Sequence, residues 1–235
     1  AFTGDRSESS PQGLEGVFLE SWYGKTFSDN PAPLVTALRG AGVPGPYRVA
    51  VADHSVEVPD DVEAVIVRST DYWRALGSSR VLVFNTWLPS EFRKRAGQFI
   101  VQTWHGTPLK SLGMDVPSRQ GSARSAERLR EGSQDWDLLV SQNSYSTSIF
   151  RRAYVYDGDV AETGYPRNDI LTNEHSSDVR TRTRQLLGVS DRNRLILYAP
   201  TWRQADKGSV GPLDIEQFVR LLSSNDVIAV RGHSV

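Results

Sequence analysis

The chain has 235 residues, which is enough for one large domain, or for one domain and part of another. Hydrophobic residues make up 38% of it, which can form a core, and a formal charge of −1 argues against a general nucleic-acid binder. The absence of cysteine excludes a disulfide framework and a thiolate nucleophile, and no apolar run approaches the roughly 20 residues that span a bilayer.

The first part of the chain alternates between predicted strands and helices. Residues 1–13 are polar and rich in turn formers, so we expect a linker or flexible tail. Strands are predicted at Val17–Ser21, Arg48–Ala52, Ala64–Val67, Val81–Phe84, Phe99–Val101 and Leu138–Val140. Helices are predicted at Pro31–Arg39, at Asp71–Leu76 with Ser69 or Thr70 as cap, at Ser122–Glu131, and from Asn143 or Ser144 toward Arg152. This rhythm predicts an α/β fold with a doubly wound, mostly parallel sheet.

A second α/β block begins after an arginine-rich stretch. Residues 172–194 form a predicted connector whose helical part ends at Gly188. A strand at Leu195–Ala199, a helix at Ile215–Leu222 and a strand at Val227–Val230 follow. The predicted domains are therefore a Rossmann-like domain at 14–171 and the truncated start of a second Rossmann-like domain at 195–235.

One histidine occupies a position typical of an active-site loop. His105 follows the apolar strand that begins at Phe99, and Gly106 and Pro108 then interrupt regular structure. Open α/β sheets bind ligands at the carboxyl ends of their strands. The backbone N–H groups of Gly106 and Thr107, the Thr107 hydroxyl and the Lys110 ammonium lie close by in sequence. Because residues 91–130 also carry eight Lys or Arg against three Asp or Glu, the segment suits an anionic oxygen cluster such as phosphate.

The segment Gln-x-Trp-His-Gly-Thr-Pro-Leu-Lys-x-Leu-Gly at residues 102–113 resembles the signature of the CDP-glycerol glycerophosphotransferases, which polymerise teichoic acids and related phosphate-linked capsules. Other segments resemble the same family in the same order. They are residues 20–25, 28–31, 85–86, 92–95, 164–169, 197–203 and 231–233.

The resemblance implies a GT-B-like fold, with an acceptor domain followed by a nucleotide-donor domain. The implied reaction moves glycerol phosphate, or a related polyol phosphate, from a CDP-activated donor to a membrane-linked teichoic acid or capsule polymer. No metal or further cofactor is expected, and the implied location is the bacterial cytoplasm, peripheral on the inner face of the membrane.

The same resemblance implies roles for individual residues. His105 would be the general base, because imidazole exchanges a proton near neutral pH. The residues implied in donor or phosphate binding are Arg203, Arg231, His233, Gly106, Thr107 and Lys110. Those implied in acceptor or interdomain contact are Asn30, Arg167, Asn168 and Asp169.

Two other functions stay open at this point. One is a nucleotide-sugar glycosyltransferase on the same fold, and the other is a non-catalytic, acceptor-binding fragment. Because most of the donor domain is missing, the isolated 235 residues are expected to be inactive under the transferase interpretation as well. A P-loop is rejected because its first glycine would fall at Leu19. The Asp157-Gly158-Asp159 segment fits a turn better than a metal motif, and no Gly-x-Ser-x-Gly elbow supports a hydrolase.

Overall fold

The computed structural model describes residues 13–172, 176–200 and 213–231. The chain divides after Asp169 into two compact units. The first unit contains a large parallel sheet and the second a small one. No helix in the described ranges is long and apolar enough to cross a membrane.

Across residues 13–172 the structure forms a seven-stranded sheet in which neighbouring strands run parallel. Its strands are β1 (Val17–Glu20), β2 (Tyr47–Val51), β3 (Glu63–Ile66), β4 (Val81–Phe84), β5 (Phe99–Gln102), β6 (Leu138–Ser141) and β7 (Asp159–Glu162). The spatial order is β3-β2-β1-β4-β5-β6-β7, so the direction of winding reverses between β1 and β4. The carboxyl ends of these two strands therefore form a topological switch point, the usual ligand position in such sheets.

Helices cover both faces of the sheet. They are α1 (Pro31–Gly40), α2 (Thr70–Ser78), α3 (Ala123–Ser133) and α4 (Ser144–Tyr154). Ser69 and Asn143 are the N-caps of α2 and α4, each accepting a backbone N–H, which decides between the predicted alternatives. Short 3₁₀ helices lie at Trp22–Gly24, Gly113–Asp115, Pro117–Arg119 and Pro166–Leu171.

The core has two layers, one on each side of the sheet. Phe18 and Ile100 pack on one face with residues of α2 and α4, whereas Val17 and Val83 pack on the other with Val35 of α1. Strands buried on both faces read as continuous apolar runs, which is why the sequence identified them. The predicted doubly wound, mostly parallel sheet is confirmed.

The edge strand β7 was not predicted. Its residues Asp159–Glu162 place two half-buried apolar side chains between two exposed acids, so the segment lacks the longer apolar run that marks central strands. Asp159 begins this strand, and the preceding Asp157 and Gly158 form the approach to it. In the described parts of the chain, no group of three or more His, Asp or Glu side chains could hold a metal ion.

The second unit begins with α5 (Ser176–Leu186), which is followed by Gly188 at φ +64°. Strand β8 (Arg194–Tyr198) pairs in parallel with β9 (Asp226–Val230), and α6 (Ile215–Val219) precedes β9. The prediction carried this helix to Leu222. The structure ends it at Val219 because the backbone bonds tighten to an i→i+3 pattern at Leu221 and Leu222.

Candidate active site

The loop that follows β5 turns sharply at Trp104. Gln102, the last residue of the strand, is fully buried; its Nε2 donates to the Thr86 carbonyl (2.7 Å), and its Oε1 accepts the Trp104 N–H (2.9 Å). Trp104 itself takes a left-handed backbone conformation, with φ +50°. The turn carries His105 to the switch point between β1 and β4.

The imidazole of His105 is held by a backbone carbonyl. Its Nδ1 lies 2.5 Å from the Asn85 carbonyl oxygen, directly after β4. A carbonyl oxygen only accepts hydrogen bonds, so Nδ1 carries the proton in the neutral ring and Nε2 keeps its lone pair. Nε2 has no hydrogen-bond partner among the described residues. The ring is thus oriented as a proton acceptor facing away from β4.

Two indole rings enclose this imidazole. The Trp104 ring stacks on one side, with centroids 4.4 Å apart and planes at 23°. The Trp22 ring lies on another side, with centroids 4.7 Å apart and planes at 47°. Trp22 is positioned by its backbone N–H, which donates to the Asn85 side-chain oxygen at 2.9 Å. Asn85 therefore holds His105 through its backbone and Trp22 through its side chain.

Side chains distant in sequence bind four consecutive carbonyls of the loop, those of residues 103–106. The bonds run from Asn30 Nδ2 to the oxygens of Thr103 (3.3 Å) and Trp104 (2.9 Å), from Arg167 Nη1 to that of His105 (3.0 Å), and from the Tyr165 hydroxyl to that of Gly106 (3.0 Å). Buried carbonyls need such partners. We call these three side chains the carbonyl clamp, and they fix the backbone that bears the imidazole.

An ion pair reinforces the clamp. Arg167 Nη1 lies 2.8 Å from Asp29 Oδ1, and the Asp29 side chain is almost fully buried. The backbone N–H of Arg167 also approaches Asn30 Oδ1 at 3.4 Å, and the guanidinium lies over the Tyr165 ring at 5.1 Å. Asn30 makes no capping bond to α1; its side chain serves the loop instead. The structure therefore brings Asn30 and Arg167 to His105 as supports of its backbone.

Backbone strain concentrates at this site. Six described non-glycine residues have positive φ, and four of them lie in the loops after β1 and β5 that build the site: Trp22 (+50°), Tyr23 (+57°), Asp29 (+58°) and Trp104 (+50°). Each such residue costs on the order of 1–3 kcal/mol and persists only where its surroundings fix it. Strain of this kind is typical of binding and catalytic sites.

Among the groups of the His105 loop that are predicted to bind phosphate, one is already hydrogen-bonded within the described structure and the others are not. The Thr107 hydroxyl already donates its proton to Gln142 Oε1 at 2.6 Å, so it could donate to a phosphate only by breaking that bond. The backbone N–H groups of Gly106 and Thr107 have no acceptor in the described part of the chain, and Lys110 is exposed. These groups suit an anionic oxygen, and their role stays a prediction.

The remaining predicted residues lie elsewhere. Asn168 and Asp169 are exposed in the 3₁₀ helix that follows the clamp. Arg231 follows β9 in the second unit, and its N–H donates to the Tyr198 carbonyl at 2.9 Å. Arg203 and His233 lie outside the described residues.

Glu20 is a buried acid that sequence reasoning did not single out. It ends β1 beside the switch point, and the Tyr72 hydroxyl donates to its carboxylate at 2.8 Å. Burial raises the pKa of Glu20 to about 7, although the Tyr72 bond and the charge of Arg68 act in the opposite direction. The sequence signal that could have identified Glu20 is an acid at the end of an apolar strand. A polar residue directly after β4 could have identified Asn85 in the same way.

The fold and the site define one class of protein: a doubly wound, Rossmann-like α/β protein with a histidine at the switch point of its first parallel sheet. The model described as CDP-Glycerol:Poly(glycerophosphate) glycerophosphotransferase matches residues 11–235, and the chain belongs to this family. The resemblance of the ordered motifs is thereby confirmed.

Characterised relatives are similar over most of the chain. The teichoic acid glycerol-phosphate transferase of Staphylococcus aureus (strain NCTC 8325 / PS 47) is 33% identical, over 92% of this chain and 59% of the relative. The teichoic acid poly(glycerol phosphate) polymerase of Bacillus spizizenii (strain ATCC 23059 / NRRL B-14472 / W23) is 30% identical, over 95% of this chain and 60% of the relative. The chain thus spans about three-fifths of the length of these two relatives.

Solved structures of a related enzyme confirm the fold class. The wall teichoic acid polymerase TagF has a TM-score of 0.83 at 30% identity, over 93% of this chain and 56% of that one. A histidine-to-asparagine variant of TagF soaked with CDPG has a TM-score of 0.81 at 31% identity, over 93% of this chain and 55% of that one. The chain is GT-B-like, as the motifs implied.

Proposed function

We propose that the protein transfers glycerol phosphate from CDP-glycerol to the growing end of a teichoic acid or a related polymer, with His105 as the general base. The orientation of the imidazole carries the proposal: the Nδ1 bond to the Asn85 carbonyl leaves Nε2 as the free acceptor at the switch point. The names of the relatives and the CDPG soak of TagF support the donor and the product class.

In the proposed reaction, Nε2 of His105 accepts the proton of an acceptor hydroxyl. The hydroxyl oxygen attacks the phosphorus that bears glycerol, and the bond from that phosphorus to the bridging oxygen of the diphosphate breaks. CMP leaves with the bridging oxygen and its electrons, and the new phosphodiester extends the acceptor by one glycerol phosphate. A base held in place assists such a step by about 10² to 10⁴-fold.

The diphosphate needs positive charge and N–H donors as its negative charge moves to CMP. The N–H groups of Gly106 and Thr107, together with Lys110, offer these on the side of His105. Arg203, Arg231 and His233 are further candidates, on the resemblance of their motifs. We include these residues in the proposal as donor ligands.

The acceptor is proposed to be an anionic, lipid-linked polymer. The eight Lys or Arg residues between 91 and 130 favour a polyanion whose attraction weakens as salt is added. Peripheral binding to the inner face of the bacterial membrane would bring the enzyme to such an acceptor. Asn168 and Asp169, exposed beside the clamp, remain candidates for acceptor contact.

A pair of histidine variants tests the role of the base. In the full-length protein, His105→Gln should lower turnover with CDP-glycerol by about 10² to 10⁴-fold, because glutamine fills the space but takes no proton. His54→Gln is the matched control, since His54 is exposed in a loop. Wild-type turnover by the His105 variant, with an unchanged pH profile, would exclude the proposed base.

Donor profiling tests the substrate class. CDP-glycerol, CDP-ribitol and UDP-sugars are compared at equal concentration with the same lipid-linked primer. The proposal expects CMP release and polymer growth only with a CDP-polyol. Efficient transfer from a UDP-sugar would favour the glycosyltransferase alternative on the same fold.

A further inference from the structure

Trp22 is an aromatic residue in an unfavourable backbone conformation that two other strands stabilise. Both Trp22 and Tyr23 have positive φ, which bulky side chains rarely adopt. The backbone N–H of Trp22 donates to the Asn85 side chain after β4 (2.9 Å), and the Gly24 carbonyl accepts the backbone N–H of Ala52 after β2 (2.7 Å). The turn is thus fixed at both ends, which makes the direction of the Trp22 ring a defined feature of the site.

The two indole rings around His105 differ in their surroundings. Trp104 is buried and packs against further rings, among them Trp87 and Phe150. Trp22 is 37% exposed, and its contact with His105 is its one ring contact among the described residues. Trp104 therefore belongs to the core, whereas Trp22 forms a wall that borders both the imidazole and the solvent.

A single exposed aromatic residue is ordinary on a protein surface. Trp22 is distinguished by the backbone strain, by the buried Asn85 side chain that fixes it, and by its contact with a proton acceptor. Strained residues that the surrounding structure fixes cluster at ligand sites. An indole offers an apolar face for C–H groups and one N–H donor for an oxygen, without a charge. That combination suits a small polyol better than a phosphate.

From this geometry we infer that Trp22 contacts the acceptor, by packing against the terminal glycerol unit whose hydroxyl gives its proton to His105. The inference rests on the function proposed above and deepens it by naming a residue that recognises the acceptor end. Held between the ring and Nε2, the terminal unit would be oriented for attack on the donor.

Steady-state kinetics of the full-length protein test the contact. Trp22→Ala should raise the KM for a short oligo(glycerol phosphate) primer by about 3- to 10-fold, the value of one aromatic contact. The KM for CDP-glycerol should stay within about two-fold. Trp22→Phe keeps a ring and should recover most of the acceptor affinity.

Tyr23→Ala is the matched control. Tyr23 is the next residue, has the same left-handed backbone and is more exposed, but it makes no ring contact with His105 in the described structure. Its acceptor KM should equal that of the wild type. An equal rise in both variants would show that the turn as a whole is structural, and would overturn the inference.

The outcomes separate this inference from the proposed function. If His105→Gln is inactive while Trp22→Ala has the acceptor KM of the wild type, the function stands and the inference is wrong. A changed pH profile with an unchanged acceptor KM would mean that Trp22 acts only on the imidazole, which also overturns it. Full activity of His105→Gln would instead refute the function.

A binding measurement covers the case in which Trp22→Ala fails to fold. Circular dichroism identifies that case, and Trp22→Phe and Trp22→Leu then replace it. Calorimetry with the primer in a His105→Gln background measures acceptor affinity without turnover. Weaker binding to the Leu variant than to the Phe variant supports the contact, and equal binding to both and to the unsubstituted background refutes it.

Discussion

Replacing Glu20 by glutamine should stabilise the first unit at neutral and higher pH. The Glu20 carboxyl is 2% exposed and receives one hydrogen bond, from Tyr72. Burial disfavours its charged form and raises the pKa of Glu20 from 4.5 to about 7. Glutamine has nearly the same shape and can still accept the Tyr72 hydrogen bond, but it never carries the buried charge.

The sign of the effect follows from proton binding. Between pH 4.5 and about 7 the folded protein retains a proton that the unfolded chain has released. The free energy of unfolding therefore falls as pH rises through this window and is level above it. A difference of roughly 2.5 pH units, at about 1.4 kcal/mol each, gives a loss on the order of 3 kcal/mol.

Urea unfolding at about pH 4.5, 6 and 8, followed by circular dichroism, measures this loss. Glu20→Gln should match the wild type at the lowest pH and exceed it by about 3 kcal/mol at the highest. Tyr72→Phe removes a bond that lowers the pKa of Glu20, so the decline should extend to higher pH and become larger in total. Glu57→Gln, at an exposed position, is the control. The same pH dependence in Glu20→Gln as in the wild type would refute the reasoning.

Two further substitutions test the supports of the site by urea unfolding. Asn30→Ala should lower the free energy of unfolding by roughly 2–4 kcal/mol, since the Thr103 carbonyl loses its donor and the Trp104 carbonyl keeps only the Thr103 hydroxyl. A loss below about 1 kcal/mol would argue against the carbonyl clamp. Gly113→Ala places a Cβ against the Ala153 carbonyl and should lower the free energy of unfolding by more than about 3 kcal/mol. Gly121 also has a positive φ but has open space around it, so Gly121→Ala is the control and should lower it by about 1–2 kcal/mol. Equal losses in the two variants would exclude the clash.

The sequence was sufficient to predict the sheet because its central strands are covered on both faces. Residues 17–19 and 81–84 are short apolar runs bounded by polar or turn residues, and such runs indicate buried parallel strands. The edge strand at Asp159–Glu162 has one neighbour and needs no such run, so its sequence resembles a loop. The local sequence pattern therefore identifies the buried central strands but not the exposed edge strand.

The site, like the sheet, could be predicted only in part from the sequence. The position of His105 followed from a strand that ends before a glycine. The partners of its loop lie 73 residues away at Asn30 and 62 at Arg167, and no local pattern relates such distant positions. The orientation of the ring depends on the backbone carbonyl of residue 85, which every residue type possesses. Residue identity therefore carried no information about which ring nitrogen is free.

The carbonyl clamp has a consequence for how the site forms as the chain folds. Arg167 and Asp29 are 138 residues apart, so their ion pair joins the segment after the first strand of the first unit, β1, to the segment after its last strand, β7. Contacts this distant in sequence form only after a large loss of chain entropy, and local opening at either end breaks them first. The support of the backbone that bears the His105 imidazole should therefore form last during folding and be lost first during unfolding. The state of His105 would report on whether both ends of the unit are closed.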